Sequence, residues 1–410
     1  MGISDGGYFG TGWTALSIAL VSIASLTVAQ TGVPRVERAA MLAVVAIGSL
    51  TAWIALSGAW APAGADTWFE TRRALLYTIA LVTVLIVASR SGPRAVLLGL
   101  ALGISVVCAV AVALRAVNGI AEDGLLQEPI GYPNALGVLA ALGWTLAVGL
   151  GSAPGAPPLV TGALRAAAPI LVLVLGLSGS RGAALTLLAG AVALVVLADR
   201  PHRPAIGSLA AVTLALGSVG YLLAERGELE GAALVVVTLL TAAAGIALGR
   251  RTWTPDRRVL AVIVAVVLVG LAVTLFLRPG YATSSFRTAY WEAAFDEVSS
   301  HPLHGTGAGS FFLTWAEHRD VVTAVRDAHS VYVEALSELG IVGLGLVVLL
   351  VAVPLVVAWR RRGDAVVATA GASFLVFVLH AGLDWDWEMP VVALTGLACA
   401  GTLLAASAGD

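Results

Sequence analysis

Lysine is absent from this sequence, and all 23 basic residues are arginine, a pattern that fits a GC-rich coding bias. Charge of either sign is scarce: 12% of residues are charged against 59% hydrophobic, and the mean hydropathy is +0.94. So apolar a chain is not a soluble globular protein and must be solvated by lipid. The 25 acidic residues nearly cancel the basic ones, so no bulk charge points to nucleic acid as a partner. The two cysteines, Cys108 and Cys399, sit in separate apolar stretches, which argues for core packing and against a disulfide or metal framework. The apolar runs are continuous rather than alternating, which excludes a closed barrel. No internal repeat, separate soluble domain or cleavable signal peptide is recognisable.

What is present is a series of runs long enough to cross the hydrocarbon layer, which needs about 20 apolar residues each. They fall near 13–30, 39–57, 74–89, 95–114, 135–152, 159–177, 182–198, 205–224, 231–249, 259–277, 330–359, 365–383 and 389–406. The expected fold is therefore an all-α polytopic membrane protein with about 12–13 transmembrane helices. It comprises a bundle over 1–277, a long extracytoplasmic loop with an interfacial helix over 278–329, and three closing spans over 330–410.

Alternate connections gather the arginines on one side: Arg35, Arg38, Arg90, Arg94, Arg165, Arg200, Arg203, Arg250, Arg251, Arg257, Arg258, Arg360, Arg361 and Arg362. The positive-inside rule makes that side cytoplasmic. Most acidic residues, five of the six histidines and the long loop then lie outside, as do residues 1–12, while the C-terminus lies inside. An outside N-terminus leaves a further, missing first span open.

The long loop is the informative region. Loops of this length in compact proteins are functional or disordered, and Phe286, Tyr290, Trp291, Phe295, Phe311, Phe312 and Trp315 argue against disorder. Residues 283–300 read as an amphipathic helix capped by Ser284 or Ser285 and stopped before Pro302. Tyr290, Trp291, Ala294 and Val298 share a face with Arg287 in its middle, while Glu292 and Asp296 face water. Pressed against the membrane bundle, Arg287 is either a snorkelling or cation–π residue or an anion clamp suited to phosphate.

His301 and His304 are spaced HxxH, but Pro302 and the following glycines preclude a helix, so a metal site is not expected. Gly305, Gly307 and Gly309 suit a close-packed turn better than a phosphate cradle, for which strand and lysine are lacking. Beyond Arg319 and Arg326, Asp327 is a plausible N-cap that puts His329 in the first helical turn, neutral at the positive helix end and able to accept a proton. The bland alternative for His329 is an ordinary interfacial hydrogen bond. Glu334 and Glu338 lie deeper, where carboxylates need partners, with arginine the natural one. Arg181 sits at the outer end of two short spans, Tyr132 and Asn134 lead into the fifth, and His380 precedes Asp384-Trp-Asp-Trp-Glu388. For that last patch, stacking on Trp385 or Trp387 and interfacial anchoring rank ahead of a DxD metal site.

The motifs FRTAYWEAA (286–294), PLHGTGAGSF (302–311) and AHSVYVEALSELGIVG (328–343), with SRG (180–182), YPN (132–134), His380 and Asp384, resemble the O-antigen ligase and O-antigen polymerase superfamily of bacterial C-type membrane glycosyltransferases. The resemblance covers the second half of the chain by motif and the first half by hydropathy alone. It implies an inner-membrane enzyme that takes a glycan from an undecaprenyl diphosphate carrier and joins it to the hydroxyl of a glycan or glycolipid acceptor, inverting, without metal or other cofactor. It implies that Arg181 and Arg287 hold the diphosphate and that His329 assists the acceptor. Tyr132, Asn134, Tyr290, Trp291, His304, Arg326, Tyr332, Glu334, Glu338, His380 and Asp384 are the candidate substrate-binding residues. Ligase and polymerase share these motifs. A lipid-linked oligosaccharide flippase is the alternative of another class, but it would carry ionisable groups along mid-membrane, and these spans read as almost free of charge. A non-catalytic scaffold predicts no convergence of the Arg and His residues.

Overall fold

A computed structural model describes residues 5–121, 124–153, 155–226, 229–249, 286–319 and 322–407. The described chain is helical throughout, without a named strand: α1 (Trp13–Thr31), α2 (Arg38–Ser57), α3 (Gly64–Ser91), α4 (Pro93–Asn118), α5 (Pro133–Ser152), α6 (Pro158–Ser178), α7 (Arg181–Leu197), α8 (Arg203–Arg226), α9 (Gly231–Gly249), α10 (Arg287–Ser300), α11 (Phe311–His318), α12 (Val331–Arg360), α13 (Ala365–His380) and α14 (Pro390–Ala406). Nine of these helices, among the described residues, are long and apolar enough to cross a membrane, and α7, α13 and α14 are shorter apolar helices. This is an all-α polytopic membrane protein.

Proline starts α4, α5, α6 and α14, where its fixed φ suits a first turn whose N–H needs no partner. Every expected span corresponds to one of these helices except that near 259–277, which lies outside the described residues, as do Ser284 and Ser285. One boundary differs in a way that matters. The third helix begins at Gly64 rather than near 74, adding a polar first third with Asp66, Glu70, Arg72 and Arg73. The expectation that the spans are almost free of charge is corrected here, because Arg73 is 2% exposed inside the protein.

The chain divides into two compact units. One is built on Arg94–Ala282 with Ala358–Phe377, the other on Gly7–Pro93, Thr283–Val357 and Val378–Asp410. In the first, α5 is buried almost end to end and packs on α6 and α7, while α6 also meets α8 and α9. Close approach of α6 and α8 depends on small residues, since a Cβ on Gly217 would stand 2.4 Å from that of Val172. In the second unit α3 is the central element, packed by α1, α2 and α14. The amphipathic helix forms as α10 and ends before Pro302. It buries Tyr290, Ala293 and Ala294 against Phe311, Trp315 and Ala328, with Trp291 beside them, and leaves Glu292 and Asp296 exposed.

Candidate functional site

The glycine-rich segment after α10 is explained by a break in α12. Gly340 has φ 66° and ψ −167°, a combination that a Cβ opposes, and it interrupts the helical ladder. The freed groups bond to the segment: Ile341 N–H donates to Pro302 O (3.0 Å), Thr306 N–H to Ser337 O (3.2 Å) and Gly307 N–H to Glu338 O (2.7 Å). The backbones meet so closely that a Cβ on Gly305 would lie 2.2 Å from the carbonyl carbon of Glu338. The two oxygens of the buried Glu338 carboxylate accept the N–H groups of Gly309 and Phe311, each at 2.8 Å. The turn is thus the close-packed device its sequence suggested, closed on the Glu338 carboxyl group. Glu338 is satisfied by backbone amides instead of the arginine expected for it.

His329 lies just ahead of α12. Glu334 N–H donates to Ser330 O (2.9 Å), so Ser330 occupies the helix start that the sequence assigned to Asp327, and His329 falls outside the first turn. Among the described residues it is the only non-glycine with positive φ, at 56°. Its Nδ1 is 3.0 Å from Asp327 O, and its ring lies 5.3 Å from that of Tyr290 and 6.2 Å from that of Trp385. A ring nitrogen facing a carbonyl must carry the hydrogen, which leaves the Nε2 lone pair as the basic site. Burial pushes the imidazole below its usual pKa, against the opposing pull of Asp384. The cause of that lowering is desolvation and not the helix end.

Arg287 opens α10 beside this ring. Its Nη2 donates to Asp384 Oδ2 at 2.9 Å, and Asp384 Oδ1 accepts Trp385 N–H at 2.9 Å. The partner of Arg287 is thus a carboxylate buried to 2% exposure, while the guanidinium is 31% exposed. Its Nε is buried without a hydrogen-bond partner among the described residues. The second aspartate of the DxD pair serves a different group: Asp386 Oδ2 lies 2.5 Å from Nδ1 of His380, both fully enclosed. The two carboxylates thus serve separate partners, a guanidinium and an imidazole.

A buried ionic cluster adjoins the His329 turn, and sequence reasoning missed it. Arg73 Nη2 bonds both Glu70 and Glu388, the latter at 3.1 Å. Tyr77 donates to Trp387 O at 2.6 Å. Carboxylate oxygens of Asp327, Glu334 and Glu388 lie within 4.8 Å of one another, a donor set that could hold a cation. Like charges that close are not all ionised. Burial raises Asp327 to about 7 and Glu388 well above the usual range. A cavity of about 30 Å³, room for a water or two, is lined by Glu70, Arg73, Glu334, Glu338 and Trp387. The signal that could have revealed the cluster is Glu70-Thr-Arg-Arg73, an i, i+3 ion pair opening an apolar run.

Residues 228–348 match the O-antigen ligase family. No curated protein matches the chain. Over the matched stretch the chain is similar to the O-antigen ligase and polymerase superfamily, as its motifs implied, and the match supports a ligase- or polymerase-type glycosyltransferase in general terms. The O-antigen ligase match takes in α10, the glycine-rich segment, His329 and the start of α12.

Of the candidate residues, the second unit brings Arg287, Tyr290, Trp291, His329 and Asp384 together. Trp291 Nε1 donates to Ala328 O at 3.1 Å. Arg326 pairs with Asp66 and stands 5.6 Å over the Phe69 ring. His304 bonds Gly305 O through Nδ1 (2.8 Å) and meets Trp60 at 5.2 Å. Tyr332 donates to Val378 O (2.8 Å), and His380 is enclosed with Asp386. Arg181, Tyr132 and Asn134 belong to the first unit. Arg181 is the exposed first residue of α7, whose cap Ser180 accepts Ala183 N–H at 3.3 Å. Asn134 Nδ2 donates to the Tyr132 hydroxyl at 3.0 Å. The α6–α7 turn adjoins α5, because a Cβ on Gly137 would touch Ser178 Oγ and Ser180 Cβ, both at 2.7 Å.

Proposed function

We propose that this protein is an inverting membrane glycosyltransferase that moves a glycan from an undecaprenyl diphosphate carrier to an acceptor hydroxyl at the extracytoplasmic face of the inner membrane. The observation that carries the reading is the pairing, inside the segment matched to O-antigen ligase, of an imidazole bonded through Nδ1, its Nε2 unbonded among the described residues, with an arginine held by a carboxylate.

In this reading the acceptor oxygen attacks the anomeric carbon of the donor while the bond from that carbon to the diphosphate oxygen breaks. His329 Nε2 takes the hydroxyl proton, and the departing diphosphate gains a negative charge. Fixed cations aimed at that charge stabilise the transition state. Arg287 is held for this task by Asp384, and Arg181 is assigned with it on the resemblance. The half-buried Trp291 and Trp385 offer aromatic faces for a sugar or isoprenoid.

The test is transfer by the purified protein in lipid nanodiscs, given an undecaprenyl diphosphate glycan and candidate acceptors. Joined product is expected, and it should vanish in Arg287→Ala and His329→Ala variants that express and purify normally. Full transfer in either variant removes that residue from the mechanism.

A further inference from the structure

One peptide group links His329 to a carboxylate. The C=O of Asp327 accepts from His329 Nδ1 (3.0 Å), and the N–H of the same peptide, that of Ala328, donates to Glu334 Oε2 (2.9 Å). Ala328 O is held in turn by Trp291 Nε1, and Val331 N–H is held by Ala381 O at 2.9 Å. The turn between these anchors carries the left-handed φ of His329, a conformation that surrounding structure must hold in a residue with a Cβ.

We infer that Glu334 is a positioning residue that orients the His329 imidazole and selects its tautomer through the Asp327–Ala328 peptide. The arrangement does what a carboxylate does when bonded directly to a histidine, with an amide interposed. Drawing on the N–H polarises the amide, and its carbonyl becomes a stronger acceptor for the ring N–H. The Nδ1–H tautomer is thereby favoured and the Nε2 lone pair left facing the substrate side. When Nε2 takes the acceptor's proton, the ring becomes a cation and its bond to the polarised carbonyl strengthens. The inference rests on the reading of His329 as the proton acceptor.

The experiment compares Glu334→Ala and Glu334→Gln with His329→Ala in the nanodisc transfer assay. Gln retains an oxygen able to accept the Ala328 N–H, whereas Ala does not. In Glu334→Ala, kcat is expected to fall about 100-fold, the scale of a misplaced reacting group, with donor KM little changed. Glu334→Gln should stay within about tenfold of the parent. Wild-type kcat in Glu334→Ala, or equal losses in kcat and KM for both variants, overturns the inference. Should Glu334→Ala not fold, the ¹⁵N chemical shifts of His329 in the parent and in Glu334→Gln, assigned by difference with His329→Gln, decide it: a smaller Nδ1–H population in Glu334→Gln supports the inference and identical shifts overturn it. Full transfer by His329→Ala refutes the function reading itself, whereas an inactive His329→Ala beside a fully active Glu334→Ala refutes only the role of Glu334.

Discussion

Glu338 offers the sharpest test of how the glycine-rich segment is held. Its two oxygens accept Gly309 and Phe311 N–H at 2.8 Å each, and the residue is 6% exposed. Glu338→Ala strands both donors, and a buried donor left unmade costs about 1–3 kcal/mol, so the variant should lose about 2–6 kcal/mol. Glu338→Gln keeps one acceptor oxygen and turns an amide N–H₂ toward the second donor, so it should lose at least half as much. Thermal unfolding in detergent, followed by a thiol-reactive dye on the buried Cys108 and Cys399, orders the three proteins directly. The order expected is parent, Gln, Ala. An Ala variant that unfolds with the parent would mean that water or another group satisfies the two amides, and the reasoning about an internal acceptor would fail.

Other expectations follow from the same geometry. Asp384→Asn removes the charge that holds Arg287 and should lower transfer about tenfold while raising donor KM, read from steady-state kinetics. Burial lowers the His329 pKa, so with His329 as the proposed proton acceptor transfer should fall only as pH drops through a midpoint below the ordinary 6.5, measured as kcat against pH. Asp327 is raised from 3.8 to about 7, so the folded state holds more protons than the unfolded one between those values. Its contribution to stability is whole below pH 3.8 and is lost as pH rises to about 7. Melting should accordingly be higher at pH 5 than at pH 8, and Asp327→Asn should shrink that difference. For sidedness, a cysteine at the exposed Leu303 should react with an impermeant maleimide in intact cells, whereas one at Arg361 should not.

The helical architecture was legible because lipid demands long uninterrupted apolar runs, and those are visible residue by residue. The inward face of α10 was legible for the same reason, from Tyr290 and Ala294. The start of α3 was not, because Asp66, Glu70 and Arg73 look like a solvated loop until Glu388, more than three hundred positions away, supplies the partner that lets them be buried. Periodicity carries no record of such a long-range pairing. His329 was located by pattern, yet its left-handed backbone and its lowered pKa depend on burial by the surrounding turn. The role of Glu338 was hidden too, since its partners are backbone amides, which every sequence possesses and none advertises.

Glu334 and Glu338 stand one turn apart on α12 and clasp two different segments, the turn of His329 and the glycine-rich stretch. A helix is stiff over so short a span, so the two segments ride on a common rod. A displacement of the glycine-rich stretch is therefore expected to reach the turn of His329 as well, and substitutions in that stretch to be felt at the ring.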